Sequence, residues 1–330
     1  MTNDQRLMTI LVTGGAGFIG SHLCEKLLAL GHDVICIDNF NDYYDPKIKR
    51  NNIKNCLNNK NFKLHEVDIR NISKITEIFH NTGLKTKDKR PMIVVHLAAR
   101  AGVRPSLQDP ELYKDVNLNG TKNLLDASVK TDVKKFIFAS SSSVYGNNTK
   151  VPFAESDPLE NIISPYASTK KEGEALCLKY HKEHDLPMIC LRFFTVYGPR
   201  QRPEMAIHKF TRLIDGNKEI PMYGAGDTAR DYTYIDDILS GILSSLEKDL
   251  SYEIINLGES QVIKLKDLIK TIEQKLQKKA HIKQLPEQTG DVRQTYADIT
   301  KAKKLLGYDP QTKIDKGIAK FISWYKKEKH

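Results

Sequence analysis

A glycine turn between a strand and a helix near the start of the chain limits what the chain can fold into. Thr9–Thr13 is a short apolar run that ends in Gly-Gly-Ala-Gly-Phe-Ile-Gly. Phe18–Leu30 then reads as a helix stopped by Gly31, and Asp33–Ile37 as a second strand that delivers Asp38. Gly15, Gly17 and Gly20 fit GxGxxG, while Gly14, Gly17 and Gly20 fit GxxGxxG. Either spacing lets backbone approach a pyrophosphate seated on the helix N-terminus, with Phe18 and Ile19 in the first turn. A carboxylate at Asp38 suits the hydroxyls of an adenosine ribose and repels a 2′-phosphate, which favours NAD over NADP. The unit predicts an α/β chain built on a doubly wound parallel Rossmann sheet.

At 330 residues the chain is long enough for two lobes. Residues 1–185 are predicted as the dinucleotide-binding domain, with a returning strand near residues 230–258. Residues 186–330 are predicted as a smaller mixed α/β lobe that binds substrate. Phe62–Val67, Ile93–Leu97, Phe136–Ala139 and Pro187–Phe194 read as further strands of the sheet. Tyr113–Lys130 reads as one long helix containing Asn117, and Leu265–His281 and Thr300–His330 as amphipathic helix with connecting turns. Ligands in such sheets meet the carboxyl ends of the strands. That makes Asn39, Asp68, Ile69, Leu97, Ala98, Ala99, Asn117 and Ser140 candidate cofactor contacts. The small residues after Leu97 suit close cofactor approach and plain helix packing equally.

Ser164-Pro165-Tyr166-Ala167-Ser168-Thr169-Lys170 carries the reactive pair. Ser164 is a natural helix cap and Pro165 fits the first turn. Residues four apart share a helical face, so Tyr166 and Lys170 point the same way. A phenol has a free pKa of about 10, and moving it to about 7 takes roughly 4 kcal/mol of differential stabilisation. A nearby ammonium together with a cationic nicotinamide ring can supply that. Ser140 to Ser143 follow a strand and bring several hydroxyls to the same end of the sheet.

Charge and cysteine usage narrow the class. The formal net charge is +10, but the lysines are spread along the chain and no nucleic-acid-binding signature occurs. The five cysteines are scattered, with no CxxC pair, which predicts free thiols in a reducing cytoplasm. No apolar run suits a membrane span, and Met1–Leu7 is polar rather than signal-like. Neither nucleic acid, membrane nor metal is expected as a partner.

Together, the glycine turn, Asp38, the Ser140–Gly146 run, Tyr166 with Lys170, and Arg230-Asp231-Tyr232 resemble the extended short-chain dehydrogenase/reductase family over essentially the whole length. Within it the chain resembles nucleotide-sugar 4-epimerases. Arg192–Pro199, Arg202–Ala206, Asn39–Asp45 and Ala101–Arg104 are similar to the UDP-glucuronate branch. Epimerases of UDP-glucose and UDP-N-acetylglucosamine share much of that pattern, so the sugar stays open. The resemblance implies bound NAD, a UDP-sugar substrate, a role in polysaccharide biosynthesis, and a homodimer paired through the Tyr113–Lys130 and Tyr166–His184 helices. It further implies that Tyr166 takes the proton of the sugar 4-hydroxyl while C4 gives hydride to NAD⁺. In that scheme Ser141 bonds the same oxygen, Lys170 holds the cofactor ribose, and hydride returns to the other face of a 4-keto sugar. Arg230, Asp291 and Arg293 match positions for the diphosphate or uridine ribose, Tyr223 the uracil edge, and Met205 a further substrate contact. Ser142, Ser143 and Thr195, with Arg104, suit a carboxylate at C6. Sugar dehydratases of the family carry Asp-Glu where Ser142 and Ser143 stand, and decarboxylases carry glutamate at Ser143. Elimination needs a general acid and base that hydroxyls replace poorly. A non-catalytic NAD-binding protein is the reading from another class, and intact Ser141, Tyr166 and Lys170 argue against it.

Overall fold

The computed structural model describes residues 7–85, 90–286 and 292–329. In chain order the first elements are β1 (Thr9–Thr13), α1 (Phe18–Ala29), β2 (Asp33–Asp38), α2 (Pro46–Ile53), β3 (Phe62–Glu66), α3 (Ile72–Lys85) and β4 (Met92–His96). After them come α4 (Val103–Gln108), α5 (Pro110–Lys114), α6 (Gly120–Lys130), β5 (Lys135–Ser141), α7 (Pro165–His184) and β6 (Met188–Phe193). The chain continues through β7 (Thr195–Tyr197), α8 (Ala206–Asp215), β8 (Glu219–Tyr223), β9 (Ala229–Tyr234), α9 (Ile235–Glu247) and β10 (Tyr252–Leu257). It closes with β11 (Val262–Lys264), α10 (Leu265–Leu276), β12 (His281–Leu285), α11 (Thr300–Leu306) and α12 (Ile314–Lys329).

Two compact units result: Met1–Ser143 with Ser164–Leu191 and Ser245–Ile254, and Val144–Ile163 with Arg192–Ser244 and Ile255–His330. The first is organised by a seven-stranded sheet in the order β10-β6-β5-β4-β1-β2-β3. The pairs β3–β2, β2–β1, β1–β4 and β4–β5 are all parallel. β1 and β4 are buried at every position, which is why they read as unbroken apolar runs rather than alternating ones. Leu11, Val94, Phe136, Phe138 and Met188 of the sheet share a core with Ile75 and Phe79 of α3, Leu124 and Leu125 of α6, and Cys177 and Tyr180 of α7. Truncating Phe79 or Phe136 to alanine in such a core costs about 3–5 kcal/mol.

β1 pairs with β2 on one side and β4 on the other, so chain order reverses there. A doubly wound sheet opens its ligand crevice beyond the carboxyl ends of the strands at that point. Thr13 is aligned with Ile37 and His96, so the glycine turn after Thr13, Asp38 and Leu97 all emerge at this end.

The second unit holds a three-stranded sheet, β11-β9-β7, and the parallel pair β12–β8. Ile207, Phe210 and Ile214 of α8, Leu268, Ile269 and Ile272 of α10, and Ile318, Phe321, Ile322 and Tyr325 of α12 are buried. Each set recurs at helical spacing, so each helix turns one apolar stripe inward.

Two expectations need correction. Tyr113–Lys130 is not one α-helix: α5 ends at Lys114, a π-helical turn spans Asp115–Asn119, and α6 follows. Leu265–His281 holds helix and turn as expected, with α10 stopping at Leu276 on a left-handed Gln277, but His281 opens a strand, β12, that was not expected. Thr195 begins β7, which pairs with β9 in the smaller sheet. Among the described residues no helix is long and apolar enough to cross a membrane, and no metal-binding cluster occurs. All five cysteines are buried thiols, none in a disulfide.

Candidate active site

The turn after β1 is shaped by the close approach of backbone to backbone. Gly14 has φ +68°, and a Cβ there would lie 2.8 Å from the Ala98 nitrogen. At Gly20 a Cβ would lie 2.2 Å from the Gly14 carbonyl oxygen. Glycine is required at both positions, on steric grounds at Gly20 and on both counts at Gly14. The Gly14 amide donates to Ile37 O at 2.7 Å, and the Leu97 amide to Thr13 O at 3.2 Å. Gly17 caps α1 without any side-chain hydrogen bond, above Phe18 and the half-buried Ile19. An uncapped helix start beside a Cβ-free turn fits a pyrophosphate.

Asp38 is 5% exposed, and its carboxylate is already engaged. It accepts from the Ala16 amide at 3.2 Å, the Phe40 amide at 2.9 Å and Lys49 Nζ at 3.1 Å. A carboxylate has about four acceptor sites, so capacity remains for ribose hydroxyls. Lys49 tempers the bare charge expected to repel a 2′-phosphate, so preference for NAD rests more on hydrogen bonding. Asn39 donates to Asp68 at 2.8 Å, and Arg70 grips the same carboxylate at 2.9 Å. Burial pushes the Asp68 pKa up, but the Arg70 and Asn39 hydrogen bonds outweigh it and bring it to about 2. Ile69 is buried beside Gly120, where a Cβ would lie 2.6 Å from it. Ala98 and Ala99 line the end of β4 and are half-buried. These residues fit a dinucleotide.

α7 starts as its sequence predicts: Ser164 Oγ accepts from the Ala167 amide at 3.1 Å, and Pro165 opens the first turn. Lys170 is 5% exposed, donates to Ala139 O at 2.7 Å, and lies 5.9 Å from the centroid of the Tyr166 ring. Burial lowers its pKa to about 8, against the opposing influence of Cys177 and Glu174. Tyr166 is half-buried and packs edge-to-face on Tyr113, 6.4 Å between centroids. Ser141 ends β5, and its Oγ accepts from the Ser143 amide at 3.1 Å and the Ser143 hydroxyl at 2.9 Å. Ser141, Ser142 and Ser143 are all partly exposed, so a ligand can reach them. Ser140 differs: it is buried, and its hydroxyl donates to Glu174 at 2.5 Å.

Asn117 sits inside the π turn and is 3% exposed. It accepts from the Arg100 amide at 2.8 Å, and its Nδ2 donates to Arg100 O at 3.1 Å and Thr169 Oγ1 at 3.0 Å. One side chain thereby ties the loop after β4 to the start of α7. Tyr43 and Tyr113 both donate to Ala101 O at 2.7 Å, so two separate sequence motifs meet at one carbonyl. Arg104 is exposed on α4 in the same unit.

In the second unit Thr195 begins β7, Met205 caps α8, Tyr223 ends β8, and Arg230 lies in β9. Arg293 is exposed, and its carbonyl accepts from the Ala229 amide at 2.9 Å, beside Arg230. Asp291 lies outside the described residues. Asp231 is fully buried and accepts amides from Glu259 at 2.8 Å, Ser260 at 3.0 Å and Ala297 at 3.1 Å. Burial raises its pKa to about 7 despite those bonds. Arg192, 2% exposed, donates to Tyr145 at 2.9 Å, and Tyr145 donates to Asn256 at 2.7 Å.

The family model described as GDP-mannose 4,6-dehydratase matches residues 11–321. The chain belongs to that family, among the extended short-chain dehydrogenases/reductases. A UDP-glucuronate 4-epimerase of Thermodesulfobacterium geofontis is 43% identical, over 96% of this chain and 95% of that protein. An uncharacterised protein of Methanocaldococcus jannaschii is 45% identical, over 97% of each. Among solved structures, UDP-glucuronic acid 4-epimerase of Bacillus cereus, with UDP-glucuronic acid and NAD, superimposes with a TM-score of 0.90 at 37% identity. That match covers 97% of this chain and all of the other. A UDP-glucose 4-epimerase of Thermotoga maritima, with UDP-glucose, gives 0.88 at 33% identity, covering 98% of this chain and all of that one.

For a member of this family, the sequence pointed straight to Tyr166, Lys170 and Asp38. It gave less warning of Glu174, Lys49 and the Thr13–His96–Thr121 chain, where His96 bonds Thr13 at 2.7 Å and Thr121 at 2.9 Å. Glu174 was findable, since it falls four residues after Lys170 and eight after Tyr166.

Proposed function

We propose that this protein is an NAD-dependent UDP-sugar 4-epimerase, an isomerase that interconverts UDP-glucuronate and UDP-galacturonate. One observation carries the reading within a family whose model bears a dehydratase description. Where elimination or decarboxylation calls for carboxylates, the chain after β5 offers only the partly exposed hydroxyls of Ser141, Ser142 and Ser143. Relatives and structural neighbours named as UDP-glucuronate 4-epimerases support the choice of sugar.

Gly14, Gly17, Gly20, Asp38, Asp68 and Ala98 hold the dinucleotide in this reading. NAD⁺, when bound, supplies the reversible acceptor for the hydrogen on C4. Tyr166 accepts the proton of the 4-hydroxyl, and Ser141 donates a hydrogen bond to the same oxygen. Lys170, anchored on Ala139 O, favours the phenolate by its charge. Tyr166 returns the proton once the hydrogen is back on C4. Arg230, Arg293, Asp291, Tyr223 and Met205 are assigned to the UDP moiety. Ser142, Ser143 and Thr195 hold the C6 carboxylate through charge-assisted hydrogen bonds, with Arg104 steering the anion. Holding the carboxylate also protects the β-keto acid from losing CO₂. Buried reduced thiols fit a cytoplasmic enzyme feeding polysaccharide biosynthesis. Ser142→Ala and Thr195→Ala are expected to lower kcat/KM on UDP-glucuronate about tenfold or more, and on UDP-glucose far less. Equal losses on both sugars contradict the carboxylate assignment.

A further inference from the structure

α7 carries Tyr166, Lys170 and Glu174 at four-residue spacing, which places neighbours in the series on one face. The last two are 5% and 4% exposed. Each engages the end of β5, at consecutive residues: Lys170 Nζ donates to Ala139 O at 2.7 Å, and Ser140 Oγ donates to Glu174 Oε1 at 2.5 Å. Ser140 lies directly before Ser141, so its hydroxyl is spent on holding a buried carboxylate in place. A carboxylate taken out of water is costly unless it is hydrogen-bonded and faces a positive charge. Here Ser140 supplies the hydrogen bond, and Lys170, one turn earlier on the same helical face, is the nearby cation.

We propose that Glu174 is a positioning residue: its buried carboxylate keeps the Lys170 ammonium protonated, and through Ser140 it fixes the strand end that presents Ser141. The inference rests on the reading of Tyr166 and Lys170 as the acid–base pair. The titratable groups packed around Lys170 and Glu174 are Tyr166 and Cys177 on α7, His96 on β4, Cys190 on β6 and Tyr252 on β10. Burial lowers the His96 pKa to about 3 and raises that of Tyr252, whose hydroxyl donates to Glu174 O at 3.5 Å. Among all these groups a carboxylate is the one ordinarily anionic at neutral pH. Cys177 and, after it, Glu174 oppose the burial-driven fall of the Lys170 pKa, and the influence of Glu174 has the sign the proposal requires.

The test is a pH titration of the full-length, NAD-loaded protein carrying [ε-¹³C]lysine, with the Lys170 signal identified by its absence from Lys170→Met. Wild type is expected to titrate near 8. Glu174→Gln keeps an oxygen for Ser140 but removes the charge, so its Lys170 midpoint falls by about one pH unit or more. The alkaline limb of kcat/KM on UDP-glucuronate moves down with it. A merely structural role for Glu174 leaves both unmoved, and that result overturns the proposal. Should Glu174→Gln fail to fold, the wild-type titration decides: a Lys170 midpoint below 6 shows that no carboxylate holds the ammonium charged. The titration needs no substrate. A shifted midpoint without turnover of any UDP-sugar therefore contradicts the epimerase reading alone, and an unshifted midpoint with normal turnover contradicts Glu174 alone.

Discussion

Lys170 is where single-residue chemistry meets stability. It titrates near 8 in the folded chain and near about 10.5 when unfolded. A basic group with a depressed pKa binds more protons in the unfolded state, so it opposes folding below about pH 8. That opposition fades as pH rises toward 10.5. Lys170→Met is therefore expected to be more stable than wild type near pH 7, by up to about 3 kcal/mol less the lost bond to Ala139 O. In urea unfolding the gap should shrink between pH 8 and 10.5; a gap constant across that window contradicts a buried ammonium. The same variant should show activity only at higher pH, since the phenolate loses its charged neighbour. Tyr166, Lys170 and Asp38 stand out in the sequence as candidates because each sits at a fixed offset from a turn or cap. The Lys49–Asp38 contact does not, because a lysine eleven residues on in a polar stretch looks like any solvated charge.

At the level of elements, the π turn at Asp115–Asn119 departs most from expectation. The apolar spacing of Tyr113–Lys130 runs on without a break, and one added residue in a turn leaves no mark in composition. What holds the turn is the buried amide of Asn117 on Arg100 and Thr169. Asn117→Ala leaves the Arg100 amide and carbonyl without that partner, at a cost of about 2–4 kcal/mol, seen as a lower urea midpoint. An unchanged midpoint would mean that solvent replaces the side chain. β12 was missed for another reason. Four of its five residues are exposed and it pairs only with β8, so no apolar alternation marks it as a strand. β1, β4, β5 and β6 of the large sheet were legible because burial on both faces makes them nearly continuous apolar runs.

For the whole molecule, a formal net charge of +10 bears on solubility and on the attraction of anions rather than on the fold. Two copies are proposed to pair through the Tyr113–Lys130 and Tyr166–His184 segments. Sedimentation equilibrium should then give twice the 37.5 kDa chain mass at micromolar concentration, and a monomer there contradicts the pairing. That the sheet is parallel was foreseeable from the alternation of strand and helix. The return of β10 next to β6 was foreseen only as a segment, since nothing local in Tyr252–Leu257 states its neighbour. The central claim concerns chemistry, and one measurement bears on it most directly: NMR of UDP-glucuronate incubated with the purified protein in D₂O. The account predicts UDP-galacturonate that keeps its original hydrogen at C4, because that hydrogen leaves and returns without meeting solvent. Deuterium at C4, release of CO₂ as the main outcome, or no turnover of UDP-glucuronate would contradict it.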